Sequence, residues 1–252
     1  MRLKDKVIVV TGASAGIGRA MVERFVREGA KVVAVARRKS RLDELVESLR
    51  NEPGQAAAFR GDVSRVEDNE AMIDFALEKF GRLDVLVNNA GIMDDNTAVG
   101  DMSDEMLMQV FKTNAFAPMY AMRKAVKVFI EQGNGGNIIN TCSVGAVHHT
   151  AGIAYCASKA AVTSATLNTA FMYMEYGIRC NAISPGGVLT EIPLVMPPAN
   201  EFGFGRTGTL LNHAPELGMP EDIANVALFL ASDESSFING TVITCDGGWT
   251  NL

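Results

Sequence analysis

Apolar and polar positions follow two rhythms along this chain. Val7-Ile8-Val9-Val10-Thr11 is an unbroken, mostly β-branched run, the pattern of a strand covered on both faces. From Gly16 to Glu28 the spacing changes. Ile17, Met21 and Phe25, with Val22 and Val26, fall on one side of a helix that Gly29 closes. The pair then repeats: strands are expected at 31–36, 56–60, 83–88, 137–142, 179–184 and 241–245, and helices at 40–51, 66–80, 103–131, 153–176 and 220–232. Strands separated by helices pair in parallel through right-handed crossovers. The prediction is one α/β domain over 1–252, a doubly wound parallel sheet of seven strands with helices on both faces.

One stretch breaks the rhythm. Between 191 and 218 lie Pro193, Pro197, Pro198, Gly203, Gly205, Gly208 and Pro215, interleaved with apolar Ile192, Leu194, Val195, Met196, Phe202 and Phe204. Long loops in compact domains are uncommon unless functional or disordered, and the apolar content speaks against simple disorder. It reads as a substrate loop.

Composition narrows the classes. The chain has 252 residues, 48% of them hydrophobic, with 23 basic against 29 acidic residues and a formal charge of −6. No basic face is offered to nucleic acid. No apolar run approaches the roughly 18 residues of a membrane span, and no secretory leader is evident. Cys142, Cys156, Cys180 and Cys245 are scattered without a C-x-x-C pair, so neither zinc nor a disulfide framework is suggested. A cytoplasmic protein is expected.

Chemistry first shows at the junction of the first strand and helix, Thr11-Gly12-Ala13-Ser14-Ala15-Gly16-Ile17-Gly18. Ligands of open α/β sheets bind at the carboxyl ends of strands, and helix N-termini favour phosphate. Gly12 suits the tight turn, while Gly16 and Gly18 permit close approach, so Gly12, Ser14, Gly16, Ile17 and Gly18 are candidate cofactor contacts. The same residues fit G-x-S-x-G, a hydrolase nucleophile elbow. That elbow normally follows several strands, whereas Ser14 follows only the first. At the end of the second strand, Ala36 stands where an acid would hold the ribose of NAD, and Arg37 and Arg38 follow. Arginine there pairs with a 2′-phosphate, which favours NADP(H).

Tyr155 and Lys159 are four residues apart, on one helical face. A free phenol, with a pKa of about 10, is a poor acid–base catalyst at neutral pH. A nearby ammonium is expected to lower it.

Taken together, the phosphate loop, Asn88-Asn89-Ala90-Gly91, Asn114, Ser143, Tyr155 with Lys159, and Pro185-Gly186 closely resemble the short-chain dehydrogenase/reductase family, from Lys6 to Gly248. The resemblance implies a Rossmann-type fold. It makes Tyr155 the proton donor and acceptor, and Lys159 the residue that holds the nicotinamide ribose and lowers the tyrosine pKa. Ser143 would polarise the substrate carbonyl, and Asn114 would link the lysine through water to bulk proton exchange. It further implies adenine contacts from Asp62 and Val63, and a place under the cofactor ribose for Asn89, Ala90 and Gly91. Pro185, Gly186, Val188 and Thr190 would hold the nicotinamide end. It also implies a homo-oligomer, dimeric through the Tyr155 helix or tetrameric with 220–245.

The neighbours read more plainly. Cys142 and Cys156 are ordinary packing, and His148 and His149 lack a third ligand for a metal but lie where substrate contacts are expected. For substrate, the loop's apolar side chains and 13 methionines favour a bulky apolar ketone or alcohol such as a hydroxysteroid or bile acid. A 3-oxoacyl thioester on an acyl carrier protein is the alternative, and the arginines used by carrier-dependent relatives are not evident. An NADP-sensing regulator is the non-enzymatic alternative. Such proteins typically lose the tyrosine or lysine, and both are kept here.

Overall fold

Residues 1–194 and 196–251 are described by the computed structural model, so Val195 of the substrate loop and the terminal Leu252 lie outside the described residues. Seven parallel strands form one sheet in the order β3-β2-β1-β4-β5-β6-β7. They are β1 (Val7–Thr11), β2 (Lys31–Ala36), β3 (Gln55–Arg60), β4 (Val85–Asn88), β5 (Gly136–Thr141), β6 (Ile178–Pro185) and β7 (Val242–Cys245). Pairing is in register throughout, Val9 facing Val33 on one side and Leu86 on the other.

The β1 run is buried at all five positions, as a strand covered twice must be. Its alternation sorts the core. Ile8 and Val10 pack beneath α1 (Gly16–Arg27), α2 (Lys39–Ser48) and α9 (Pro220–Ala231). Val7 and Val9 face α3 (Val66–Phe80), α5 (Ala117–Gln132) and α7 (Ile153–Met172). Phe25 and Phe129 fill the two layers and are essentially inaccessible. Truncating a buried phenylalanine to alanine costs about 3–5 kcal/mol, because the cavity adds to the lost transfer energy.

One expectation gains detail and one needs correction. The helical region expected over 103–131 is present, and within it α4 (Asp104–Phe111) passes through a π-helical segment, Lys112–Phe116, before α5 begins. Helical periodicity persists across such a bulge, so hydrophobic spacing does not betray it. The stretch 191–218 also carries structure of its own. Ile192–Leu194 and Gly208–His213 are 3-10 turns, and α8 (Glu201–Thr207) lies between them, capped by the Asn200 side chain. Its two ends are tied together, since Val188 bridges Gly218 and the Leu189 N–H donates to Gly218 O at 2.9 Å. The remaining short helix, α6 (Gly145–His148), turns the chain between β5 and α7.

Candidate active site

The strand order reverses between β1 and β4, and the carboxyl ends of the strands there open a crevice. The Thr11 hydroxyl accepts the N–H groups of Asn89 and Ala90, at 3.0 and 3.1 Å, and the Asn89 amide donates to Thr11 O at 3.0 Å. These bonds lock the turn after β4 onto the turn after β1. There is no room for side chains at the joint. A Cβ on Gly12 would lie 2.9 Å from the Ala90 backbone, and one on Gly18 would lie 2.4 Å from Gly12 O. Ala15, at the N-cap of α1, makes no side-chain cap, and the first turn carries no acid. That helix terminus is left to an anion, which suits a pyrophosphate. Ser14, Gly16 and Ile17 lie around it, and Gly16 faces Thr190 across the crevice.

The two arginines after β2 behave differently. Arg38 donates from Nε and Nη2 to the Ser14 hydroxyl at 3.2 and 3.0 Å. Arg37 is exposed and forms no side-chain hydrogen bond among the described residues. Glu191 reaches over from the substrate loop and accepts from Arg41 at 2.7 Å and from Arg38 at 3.3 Å. Those hydrogen bonds, from Arg41 first, hold its carboxyl below the ordinary value. Neither Glu191 nor Arg41 was signalled by a motif, because a pair 150 residues apart leaves no local pattern.

Asp62 and Val63 lie in the loop following β3. The Asp62 carboxylate accepts Ser64 N–H at 3.0 Å, and Val63 O accepts the Asn69 amide at 2.6 Å, which fixes the loop's shape. Beyond β6, Val144 N–H donates to Pro185 O at 3.1 Å and Gly186 N–H donates to Cys245 O at 3.0 Å. Val188 sits at the tied base of the substrate loop.

Asn114, Ser143, Tyr155 and Lys159, the residues expected to do acid–base chemistry, converge at the ends of β4 and β5. Asn114 lies in the π segment, buried, with its amide exchanging hydrogen bonds with the Ile92 backbone at 2.9 Å in each direction. Its Nδ2 also donates to Ser158 Oγ at 3.2 Å. Lys159 Nζ donates to Thr141 O at 2.8 Å and lies 5.7 Å from the centroid of the Tyr155 ring. Gly91 lies against both Lys159 Nζ and Asn114 Oδ1. The Ser143 hydroxyl accepts Gly145 N–H at 3.0 Å, leaving its own proton to donate. A cavity of about 230 Å³ opens beside Ser143, with His148, Val147, Thr163 and Thr250 among its walls. His149 is exposed.

Electrostatics differ from the expectation in one respect. Burial pushes the Tyr155 phenol up to about 12, and the Ser143 hydroxyl pulls the other way. Burial likewise lowers Lys159 from its ordinary value. The ammonium rests over the ring face and is bonded to a carbonyl, so in this arrangement desolvation outweighs its pull on the phenol.

A family model described as enoyl-(acyl carrier protein) reductase matches residues 12–250. The chain is 42% identical over 249 residues to 3beta-hydroxysteroid dehydrogenase 2 of Eggerthella lenta, covering 98% of this chain and 96% of that one. It is 36% identical over 255 residues to the 7alpha-hydroxysteroid dehydrogenase of Clostridium sardiniense, covering 98% and 94%. A crystal structure of a short-chain type dehydrogenase/reductase from Mycobacterium marinum superposes with a TM-score of 0.88 at 31% identity, over 99% of this chain and 97% of that one. The tyrosine and lysine on one helix, beside a glycine-built phosphate turn, therefore sit in a chain that belongs to the short-chain dehydrogenase/reductase family, oxidoreductases that use a nicotinamide cofactor.

Proposed function

We propose that this protein interconverts a secondary alcohol and a ketone with NADP(H), on a bulky apolar substrate such as a hydroxysteroid or bile acid. The observation that carries the reaction is the convergence of Ser143, Tyr155, Lys159 and Asn114 at one end of the sheet. The nicotinamide, when bound, supplies or takes up hydride. Ser143 and Tyr155 hydroxyls donate to the oxygen where negative charge builds, as preorganised dipoles in a site sheltered from water. Tyr155 delivers its phenolic proton to that oxygen in reduction and receives one in oxidation. Lys159 orients the ribose, and Asn114 holds the backbone at Ile92.

NADP(H) is favoured by Arg38, which lies on Ser14 at the end of β2 where a 2′-phosphate would sit. Gly12, Ser14, Gly16, Ile17 and Gly18 would line the pyrophosphate, and Asp62 and Val63 the adenine. Asn89, Ala90 and Gly91 would lie under the ribose, and Pro185, Gly186, Val188 and Thr190 at the nicotinamide. For substrate, support comes from the exposed apolar side chains of the tied loop, Leu189, Leu194, Phe202 and Phe204, and from the hydroxysteroid relatives. A cytoplasmic homo-oligomer is the setting proposed. No helix among the described residues is long and apolar enough to cross a membrane.

A second reading is reduction of a 3-oxoacyl thioester on an acyl carrier protein, for which the family model's description supports the carrier. The deciding experiment measures NADPH and NADH oxidation with 3-, 7-, 12-, 17- and 20-ketosteroids, acetoacetyl thioesters and simple ketones. Steroid turnover with a preference for NADPH is expected. Turnover of thioesters alone would install the second reading, and equal rates with NADH would remove the cofactor preference.

A further inference from the structure

Asp94 is a buried carboxylate, 1% exposed, that forms no ion pair among the described residues. Three backbone N–H groups satisfy it instead. Asn96 and Gly152 each donate to Oδ1 at 3.1 Å, and Tyr155 donates to Oδ2 at 2.8 Å. Gly152 is the N-cap of α7 and has no side chain to cap with. The N-terminus of the catalytic helix is thus capped from 61 residues away, and the group bonded most tightly is the backbone of Tyr155. Space is reserved for it. A Cβ on Gly152 would lie 2.5 Å from Asp94 Oδ2, so any larger residue there would evict the carboxylate.

The same turn grips the substrate loop. Asn200 N–H donates to Asp95 O at 2.7 Å, and Thr207 Oγ1 donates to Asn96 Oδ1 at 3.4 Å. A Cβ on Gly203 would lie 1.7 Å from Asn96 O, so α8 rests directly on this backbone. On the far side, Ile153 N–H donates to Thr97 O at 3.0 Å. Asn96 takes a left-handed conformation, φ 60°, which asparagine tolerates better than most residues.

We infer that Asp94 is the positioning residue for Tyr155, and that the turn 94–97 couples the placement of that tyrosine to the seating of the substrate loop. The inference rests on the reading of Tyr155 as general acid and base. Asp94 acts through the helix and touches no reacting atom. A carboxylate suits the task because two oxygens can take three N–H donors at a helix N-terminus, where negative charge is favoured. An amide has one acceptor oxygen and would turn its NH₂ against one of those donors. The groups facing the Tyr155 phenol are Ser143, Cys142, Cys156, Asp94 and Lys159, and of these Asp94, Cys142 and Cys156 push the phenol upward. Removing the Asp94 charge therefore moves Tyr155 downward.

The test uses the full chain with NADPH and 5α-androstane-3,17-dione, and Tyr155→Phe as reference. Asp94→Asn is expected to lower kcat about 10- to 100-fold, the scale of a misplaced catalytic group, with the Kd of NADPH within two-fold of the parent. The alkaline limit of ketone reduction should move to lower pH, which a loss of folded protein alone would not do. Gly152→Ala should cost a similar factor in the parent and nothing further in an Asp94→Ala background, because the new methyl then enters vacated space. Gly203→Ala, on the loop side, should also lower kcat with NADPH binding kept. Hydrogen exchange at 152–156 reads the cap without any substrate, and a rise of at least ten-fold is expected in Asp94→Ala. A kcat within two-fold of the parent in Asp94→Asn, with Tyr155→Phe inactive, overturns the inference. So do unchanged exchange at 152–156, or additive losses in the double variant. An active Tyr155→Phe removes the acid–base reading instead.

Discussion

Lys159 Nζ stands over the face of the Tyr155 ring, 5.7 Å from its centroid, and gives a hydrogen bond to Thr141 O. An ammonium in that place is held by a ring quadrupole and by a carbonyl at the end of β5. Lys159→Ala strips both and leaves a buried carbonyl short of a donor, a loss of about 1–3 kcal/mol. The variant should bind NADPH more weakly, turn over more slowly and melt at lower temperature, all measurable on one preparation.

Tyr155→Phe removes only an oxygen. Its backbone bond to Asp94 and its ring contact with Lys159 remain. Ketone reduction should fall by at least 100-fold, the scale of lost general acid catalysis. NADPH affinity, followed by fluorescence, should stay within about three-fold, because the acid–base oxygen is the only group removed.

The phenol at about 12 gives a pH signature. Reduction needs the protonated form and should stay level through neutral pH, whereas oxidation of the alcohol should climb as pH rises. Stability follows the same sign. The folded value lies above the unfolded value of about 10, so this group's contribution is complete below pH 10 and is lost as pH rises through 12. Denaturant titrations of the parent should lose stability across that alkaline window, and those of Tyr155→Phe should lack this group's share of the loss.

Arg38→Ala tests the cofactor assignment. A charge-assisted hydrogen bond contributes roughly 1.5–3 kcal/mol, so NADPH affinity should fall about 10- to 100-fold with little change for NADH. Arg37→Ala should move both far less, since Arg37 is exposed and forms no side-chain hydrogen bond among the described residues. Equal losses for the two cofactors in Arg38→Ala would detach this residue from phosphate selection.

Thiol chemistry should be quiet. Cys142, Cys156 and Cys180 are buried, and desolvation pushes each thiol upward. Cys245 is partly accessible, and its thiol is also raised, by burial first and then by Asp246 and Asp222. Ellman's reagent at pH 7.5 should label Cys245 first and slowly, and the other three only in denaturant. Fast labelling of Cys142 or Cys156 would show the packing between the end of β5 and α7 opening.

What the sequence made legible was what local pattern controls. The helix expected over 66–80 is found at Val66–Phe80, and Gly81 closes it in the left-handed conformation. The doubly wound sheet follows from strand–helix alternation alone. The π segment did not show, since apolar residues keep helical spacing on either side of it and a single turn between them is too short to read as a separate pattern. Arg37 and Arg38 were indistinguishable on paper, and only the turn into α2 aims Arg38 at Ser14. Asp94 was hidden for another reason. Its partners at Gly152 and Tyr155 are distant in sequence and are backbone groups, to which residue identity gives no direct sign.

The tie between Val188 and Gly218 makes the intervening segment a cassette. Chain added or removed between two pinned ends changes loop-closure entropy only logarithmically, about 0.6 kcal/mol per doubling of length. The sheet need not register the exchange, whereas the helix that carries Tyr155 meets the segment through the turn 94–97. One condition travels with any graft: it must bring a residue without a side chain to the place of Gly203, and a backbone N–H to that of Asn200, where α8 meets the turn 94–97. The segment is thus open to exchange between relatives, with the seat on the turn 94–97, the bonds of Glu191 to Arg38 and Arg41, and the Trp249 bond to Leu210 O as the terms of fit.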